Sequence, residues 1–125
     1  MLSPLALLAV GCGAALGAWV RWFFSMWLND PARSLAVGTL VANLIGGLLI
    51  GIAMAVFSRY PDLSPLWRLS LVTGFLGALT TFSAFSAESL QLLQRGEFAV
   101  AAGHILLHVV GCLLAVGLGY KVAGG

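Results

Sequence analysis

The sequence predicts an all-α integral membrane protein with four transmembrane helices. Of its 125 residues, 61% are hydrophobic and only 8% are charged, whereas about 25% of the residues in a soluble domain are charged. The apolar stretches cover about residues 5–28, 35–57, 66–93 and 98–120. Each exceeds the ~20 residues that cross the hydrocarbon core. Most of the charge and three of the four prolines lie in the gaps, so residues 1–125 are predicted to form one transmembrane domain.

Charge in the short loops predicts how the helices insert. Four spans place both termini on one side of the membrane, and orientation follows the Lys and Arg residues of short loops. Positive charge divides equally, with Arg59, Arg68 and Lys121 on the side of the termini and Arg21, Arg33 and Arg95 on the other. This balance predicts insertion in both orientations and an antiparallel, dual-topology homodimer. The alternative is one orientation, fixed by a partner or by a subtle bias.

The third helix is predicted to be broken near its centre. Gly74, Gly77 and the pair Thr80-Thr81 weaken it, because glycine costs about 1 kcal/mol relative to alanine in a helix and threonine can bond to the backbone. The hydroxyl-rich run over 80–86 follows directly. Polar groups survive at membrane depth only when they are buried in protein or line a cavity. This run is therefore the predicted place where a solute crosses the membrane.

Three further polar residues lie within the apolar stretches. Arg21 and Glu88 are functional candidates, because an ionisable group at bilayer depth costs roughly 2.5–3.5 kcal/mol. The alternatives are that Arg21 reaches the headgroups and that Glu88 lies at the interface. Asn43 lies in the middle of an apolar stretch, too far from the headgroups and the interface, so it must hydrogen-bond either another helix or a permeating species. The sequence leaves both roles open.

His104 and His108 are four residues apart, the spacing of a two-histidine metal site. Ile105 occupies the position of the glutamate in an HExxH motif, and the sequence indicates no third ligand nearby. Hydrogen bonding within the bundle, or lining of a polar track, is therefore favoured. No nucleophile–base set and no phosphate-binding glycine loop is present, so the chain is predicted not to be an enzyme. A net charge of +2 is too small to indicate nucleic acid as a partner.

Two phenylalanines sit within the hydroxyl-rich run. Phe82 and Phe85 share a helical face and alternate with Thr81, Ser83 and Ser86. Aromatic ring edges carry partial positive charge. Ring edges beside hydroxyl and amide donors favour a small anion that accepts strong hydrogen bonds. The alternative is that both rings only pack or face lipid.

At these residues the chain closely resembles the Fluc (CrcB) family of fluoride channels. The GAxxR pattern appears as Gly17-Ala18-Trp19-Val20-Arg21, and the GTLxxN pattern runs from Gly38 to Asn43. The most specific element, G-x-x-G-x-x-TTFS-x-FS-x-E, runs from Gly74 to Glu88. Two departures are minor: Trp22 replaces a frequent tyrosine, and the two histidines lie on a polar, variable face of the fourth helix.

The resemblance implies passive export of fluoride through two pores of a dual-topology homodimer in the bilayer of the bacterial inner membrane. It also implies a structural Na⁺ at the dimer interface, bound by the backbone carbonyls of Gly77 and Thr80. The implied pore residues are Asn43, Phe82, Phe85, Thr81, Ser83, Ser86, Arg21, Glu88, His104 and His108. The alternative function is a small proton-coupled multidrug exporter, which requires a membrane-embedded carboxylate in the first helix. Residues 5–28 contain none.

Overall fold

The computed structural model describes residues 2–33 and 35–125, and all regular structure in these ranges is helical. Four helices are long and apolar enough to cross a membrane: Pro4–Leu28, Val37–Arg59, Pro65–Gln94 and Phe98–Val122. The first two are α1 and α2. The last is α6. The predicted all-α class with four spans is confirmed.

The third span is assembled from several helical pieces. These are α3 (Pro65–Arg68), a π-helical segment (Leu69–Leu76), α4 (Gly77–Leu79) and α5 (Phe82–Gln94). Between α4 and α5, Thr80 has φ −87° and ψ 153°, and Thr81 has φ −149° and ψ 119°. Both residues therefore have extended backbone inside a segment that is long enough to span the membrane.

The ends of the helices follow from local sequence. Ser3 caps α1 by accepting a hydrogen bond from the Ala6 amide at 3.1 Å, and Pro4 occupies the first helical position, where a missing N–H is harmless. Ser64 and Pro65 start the third span in the same way. Gly96 has φ 75° in the short turn between α5 and α6. A glycine suits this left-handed conformation because it has no Cβ to clash.

Glycines bring the helices together in two pairs. Along α1, a Cβ on Gly13 would overlap the Ser70 carbonyl oxygen of the π-helical segment. Between α2 and α6 the approach is mutual, because a Cβ on Gly51 would meet the Val116 carbonyl and one on Gly119 the Leu48 carbonyl. Small residues allow such close backbone packing in lipid, where the hydrophobic effect does not drive helix association.

The core is small and the outside is apolar. Ala42, Leu76 and Leu79 form the buried cluster where α2 meets the third span. Large apolar side chains such as Trp19, Leu113 and Leu114 are exposed. Helices that are apolar on every side are typical of membrane spans, so the exposed side chains suit contact with lipid.

The close packing of α1 is tested by two alanine substitutions on the same helix. Gly13→Ala should destabilise the protein by about 1–3 kcal/mol, because the new methyl group meets backbone that cannot give way. Gly11→Ala is the matched control, since a Cβ there meets nothing within 4 Å. The measurement is the melting temperature of each purified variant in detergent. Equal melting temperatures for the two variants would contradict this packing.

Candidate functional site

A groove of about 550 Å³ lies between α2, the third span and α6. We call it the central groove. Seven of the residues singled out from the sequence line it: Asn43, Gly77, Thr80, Thr81, Phe82, Phe85 and His108. The fold therefore collects, on one face of a single chain, residues that are up to 65 positions apart in sequence.

Asn43 joins α2 to the extended backbone of the third span. Its Nδ2 donates to the Thr81 carbonyl at 3.1 Å, and its Oδ1 accepts from the Thr81 amide at 2.8 Å. The side chain is only 8% exposed. One amide thus satisfies both backbone polar groups of Thr81 at a depth where water is scarce. Of the two roles left open by the sequence, bonding to another helix is the one that the geometry shows.

Thr81 also starts α5. Its Oγ1 accepts a hydrogen bond from the Ala84 amide at 3.0 Å, as an N-cap residue does. In a continuous α-helix, each amide would instead donate to the carbonyl four residues earlier. The Thr81 amide would then donate to Gly77, and the Ala84 amide to Thr80. The Thr81 amide donates to Asn43 and the Ala84 amide to the Thr81 hydroxyl. The Gly77 and Thr80 carbonyls therefore lose their usual helical donors.

An aromatic cluster lies beside this backbone. Phe85 is buried, and its ring centroid lies 5.3 Å from that of Phe82. The Phe85 ring also packs against His108 at 4.6 Å and His104 at 5.3 Å. Phe82, by contrast, is 77% exposed. The inner ring is therefore held by α6, while the outer ring projects from the single chain.

A polar cluster follows towards the end of α5. The Thr39 hydroxyl donates to Glu88 Oε2 at 2.5 Å, and Glu88 Oε1 lies 3.5 Å from His104 Nε2. The ring of His108 lies 4.5 Å from that of His104, and its Nδ1 lies 3.0 Å from Asn43 Nδ2. This cluster connects to the Asn43–Thr81 contact through His108.

Comparison with known proteins identifies the family. The family model described as "CrcB-like protein, Camphor Resistance (CrcB)" matches residues 8–120. This chain belongs to the CrcB family. A relative from Chromohalobacter salexigens is 56% identical over 120 residues, covering 96% of this chain and 91% of the relative. One from Pseudomonas putida is 55% identical over 114 residues, covering 91% and 90%. One from Cupriavidus metallidurans is 50% identical over 118 residues, covering 94% of each.

All three relatives carry the name "Fluoride-specific ion channel FluC". The prediction that this CrcB-family chain is not an enzyme is therefore confirmed. The resemblance to the family, which rested on three motifs, is confirmed as well.

Five of the predicted residues of this CrcB-family chain do not line the central groove: Arg21, Ser83, Ser86, Glu88 and His104. Arg21 donates from Nε to the Ala78 carbonyl of α4 at 3.0 Å. The Ser83 and Thr81 hydroxyls are 3.2 Å apart, and Ser86 donates back to the Phe82 carbonyl at 2.8 Å. Both serines are exposed. Arg21 therefore bonds to protein backbone, and the two serines turn away from the buried polar cluster.

Sequence reasoning missed Thr39 as a partner of the site. It is 2% exposed and holds the carboxylate of Glu88. The signal was present, because Thr39 and Asn43 are four residues apart and share one face of α2. A polar pair at this spacing in an apolar helix indicates a polar neighbour on the facing helix. The expectation that no third metal ligand lies near the two histidines was also wrong, since Glu88 is adjacent to them.

The capping role of Thr81 gives a stability prediction. Thr81→Val keeps the shape but removes the oxygen that accepts from Ala84, so the protein should lose about 1 kcal/mol of stability. Thr81→Ser retains the oxygen and is the matched control. Chemical denaturation in detergent measures both variants. If Thr81→Ser lost as much stability as Thr81→Val, the methyl group rather than the cap would be responsible.

Proposed function

We propose that this chain is a fluoride-selective channel that lets cytoplasmic fluoride leave the cell passively. The observation that carries the proposal is the extended Thr80-Thr81 backbone beside Phe82 and Phe85 in the central groove. Polar backbone, hydroxyl groups and ring edges come together there inside a transmembrane segment. We take the identity of the ion, fluoride, from the names of the relatives.

The chemistry of the groove suits a small anion. Fluoride is strongly hydrated, so a pathway must replace its water with donors along the whole route. Ring edges of Phe82 and Phe85 carry partial positive charge. The Thr81 hydroxyl belongs to a residue that lines the groove, and the hydroxyls of Ser83 and Ser86 follow on the same segment outside its lining. A narrow route would exclude the larger chloride ion. We propose that Asn43 serves this pathway indirectly, by fixing the position of Thr81.

The direction of transport follows from acid–base chemistry. Hydrogen fluoride is a weak acid that crosses membranes as a neutral molecule and dissociates inside the cell. A membrane potential that is negative inside then drives the anion out, with about 2.3 kcal/mol per elementary charge for each 100 mV. No pump is required. We place the channel in the bacterial inner membrane, since the relatives come from bacteria.

We propose that two chains assemble as an antiparallel, dual-topology homodimer with two pores. The equal division of arginine and lysine between the two sides supports insertion in both orientations. The exposure of Phe82 supports assembly, because a ring on the proposed ion path would be covered by a second copy. The central groove would then be closed by that copy rather than by lipid.

We further propose that a Na⁺ ion is held between the two copies by Gly77 and Thr80. The residues fit this role, because the amides that would bond their carbonyls in a continuous helix donate to Asn43 and Thr81 instead. Two carbonyls from each antiparallel copy would give four neutral oxygens. Such ligands suit a monovalent cation, since a divalent ion usually requires carboxylates. The ion would hold the subunits together.

The alternative of a proton-coupled multidrug exporter has less support. That mechanism requires a carboxylate in the first helix, and α1 contains no Asp or Glu. Glu88 lies in the third span instead, where it accepts from Thr39 and lies beside His104 and His108.

The pore prediction is tested with reconstituted liposomes. Phe82→Ile and Phe85→Ile should each reduce fluoride efflux at least about tenfold, equivalent to about 1.4 kcal/mol of barrier, because the ring edges are lost. Phe98→Ile is the matched control, since Phe98 is exposed at the start of α6 and outside the central groove. Efflux of fluoride and chloride is recorded with ion-selective electrodes. Unchanged fluoride efflux in both groove variants would show that the pore does not pass along Phe82 and Phe85.

Dual topology is tested by labelling in intact cells. Cys12 and Cys112 are replaced by alanine, and Asp62→Cys places one thiol in the loop between the second and third spans. A membrane-impermeant maleimide should label about half of the copies from outside, because the loop charges are balanced. Labelling of all copies or of none would show a single orientation and would exclude the antiparallel dimer.

The sodium site is tested by ion replacement. When Na⁺ is exchanged for a large organic cation on both sides of the liposome membrane, fluoride efflux should slow strongly, because the carbonyl oxygens lose the ion that they bind. No Na⁺ gradient should be needed. Efflux that is indifferent to Na⁺, together with no tightly bound Na⁺ in the purified protein, would contradict the site.

A further inference from the structure

Glu88, His104 and His108 form a cluster of three metal-binding side chains from two helices. One ligand atom of each residue lies within 4.8 Å of the others. His104 and His108 are 1% and 4% exposed. We propose that this cluster binds a divalent transition metal of the zinc class, and that the bound metal inhibits ion flow. The inhibition rests on the proposed function, whereas metal binding does not.

The unpartnered atoms of Glu88 and His104 point to a cation, and His108 Nε2 becomes a third ligand once its proton moves to Nδ1. Glu88 Oε1, His104 Nε2 and His108 Nε2 are buried and have no hydrogen-bond partner among the described residues. Buried polar atoms are normally satisfied, and each exception calls for a ligand, a water or an ion. Three such atoms, two of them on nearly inaccessible histidines, form the set of two imidazoles and one carboxylate that zinc accepts with one open position.

The spacing and orientation of two ligands suit zinc. Zinc binds nitrogen and oxygen at about 2.0–2.2 Å, which places tetrahedral ligands about 3.3–3.5 Å apart. Glu88 Oε1 and His104 Nε2 are 3.5 Å apart. Glu88 is held through its other oxygen, as metal ligands usually are. Glu88 Oε2 accepts from the Thr39 hydroxyl, and the His104 ring packs against the Phe85 ring.

The third ligand couples the metal to the Asn43–Thr81 contact. Both atoms of the Asn43 amide are fixed by Thr81, so Asn43 presents an N–H to His108 Nδ1. A neutral histidine that binds metal through Nε2 carries its proton on Nδ1. Two donors would then face each other at the present 3.0 Å. Binding of the metal therefore requires Asn43 to move away from His108, which disturbs the backbone of the proposed pore.

A second cavity reaches one member of the cluster, Glu88, from the loop between the first two spans. Glu88 lines this cavity, of about 240 Å³, together with Asn29, Asp30, Arg33 and Arg95. The two arginines are paired, Arg33 with Asp30 at 3.8 Å and Arg95 with Glu97 at 3.9 Å. Their repulsion of a cation is thereby reduced, and Glu88 offers the entering metal its first ligand.

Zinc binding is measured by titration calorimetry on the purified protein without a histidine tag. Cys12 and Cys112 are replaced by alanine, because free thiols also bind zinc. The protein should bind about one zinc per chain, and Glu88→Gln and His104→Gln should each weaken binding at least about tenfold. Glu97→Gln, whose carboxylate lies outside the cluster, is the matched control and should bind as the parent does. No binding, or equal binding in all variants, would overturn the proposal.

Asn43→Asp tests the third ligand. A carboxylate in place of the amide accepts from His108 Nδ1–H and should tighten zinc binding several-fold. The Asn43 amide weakens zinc binding instead, because its N–H faces the Nδ1–H of His108. Unchanged or weaker affinity would remove His108 from the site. In liposomes, micromolar zinc should reduce fluoride efflux through the parent protein, and a zinc chelator should restore it. Zinc that binds without affecting efflux in the parent would overturn the inhibition alone, and a parent without any fluoride efflux would instead contradict the proposed function.

Discussion

The structure depends on the satisfaction of backbone polar groups where the third span is extended. A peptide unit with no partner in the membrane costs several kcal/mol, so extended residues between α4 and α5 need dedicated donors and acceptors. Asn43 supplies both for Thr81, with contacts of 2.8 Å and 3.1 Å. A shorter or purely apolar side chain at this position would leave the amide and the carbonyl of Thr81 without these partners. The shape of the third span therefore requires one particular side chain on α2.

Several features of the site follow from this contact. Asn43 fixes the backbone of Thr81 through the Thr81 amide. Held in this position, the Thr81 side chain caps α5. The start of α5 then sets the direction of Phe85, which packs against both histidines of α6. One turn further, Glu88 meets Thr39 on α2. The same two helices are thus linked twice, by Asn43 and by Thr39, on either side of the aromatic cluster. This double link explains how a bundle with few polar residues holds them in fixed positions.

The sequence predicted the four spans well, because apolar stretches of more than 20 residues leave little choice of structure. It also singled out Asn43 and the run over 80–86, since amides and hydroxyls are conspicuous in apolar helices. It did not predict the partner of Asn43, because any of three helices could have offered one. Nor did it predict that Glu88 joins His104 and His108, since their separation depends on how α5 and α6 pack. Thr39 was missed because threonine alone can bond to its own helix.

The exchange of the Thr81 amide proton with solvent tests the central role of Asn43 most directly. In the protein reconstituted in nanodiscs, NMR should find this amide protected to the same extent as the helical amide of Leu79, although Thr81 is extended. Asn43→Leu should accelerate its exchange at least about tenfold, equivalent to about 1.4 kcal/mol of lost protection, while exchange within α1 stays unchanged. Rapid exchange of the Thr81 amide in the unsubstituted protein, or no change in Asn43→Leu, would contradict the account.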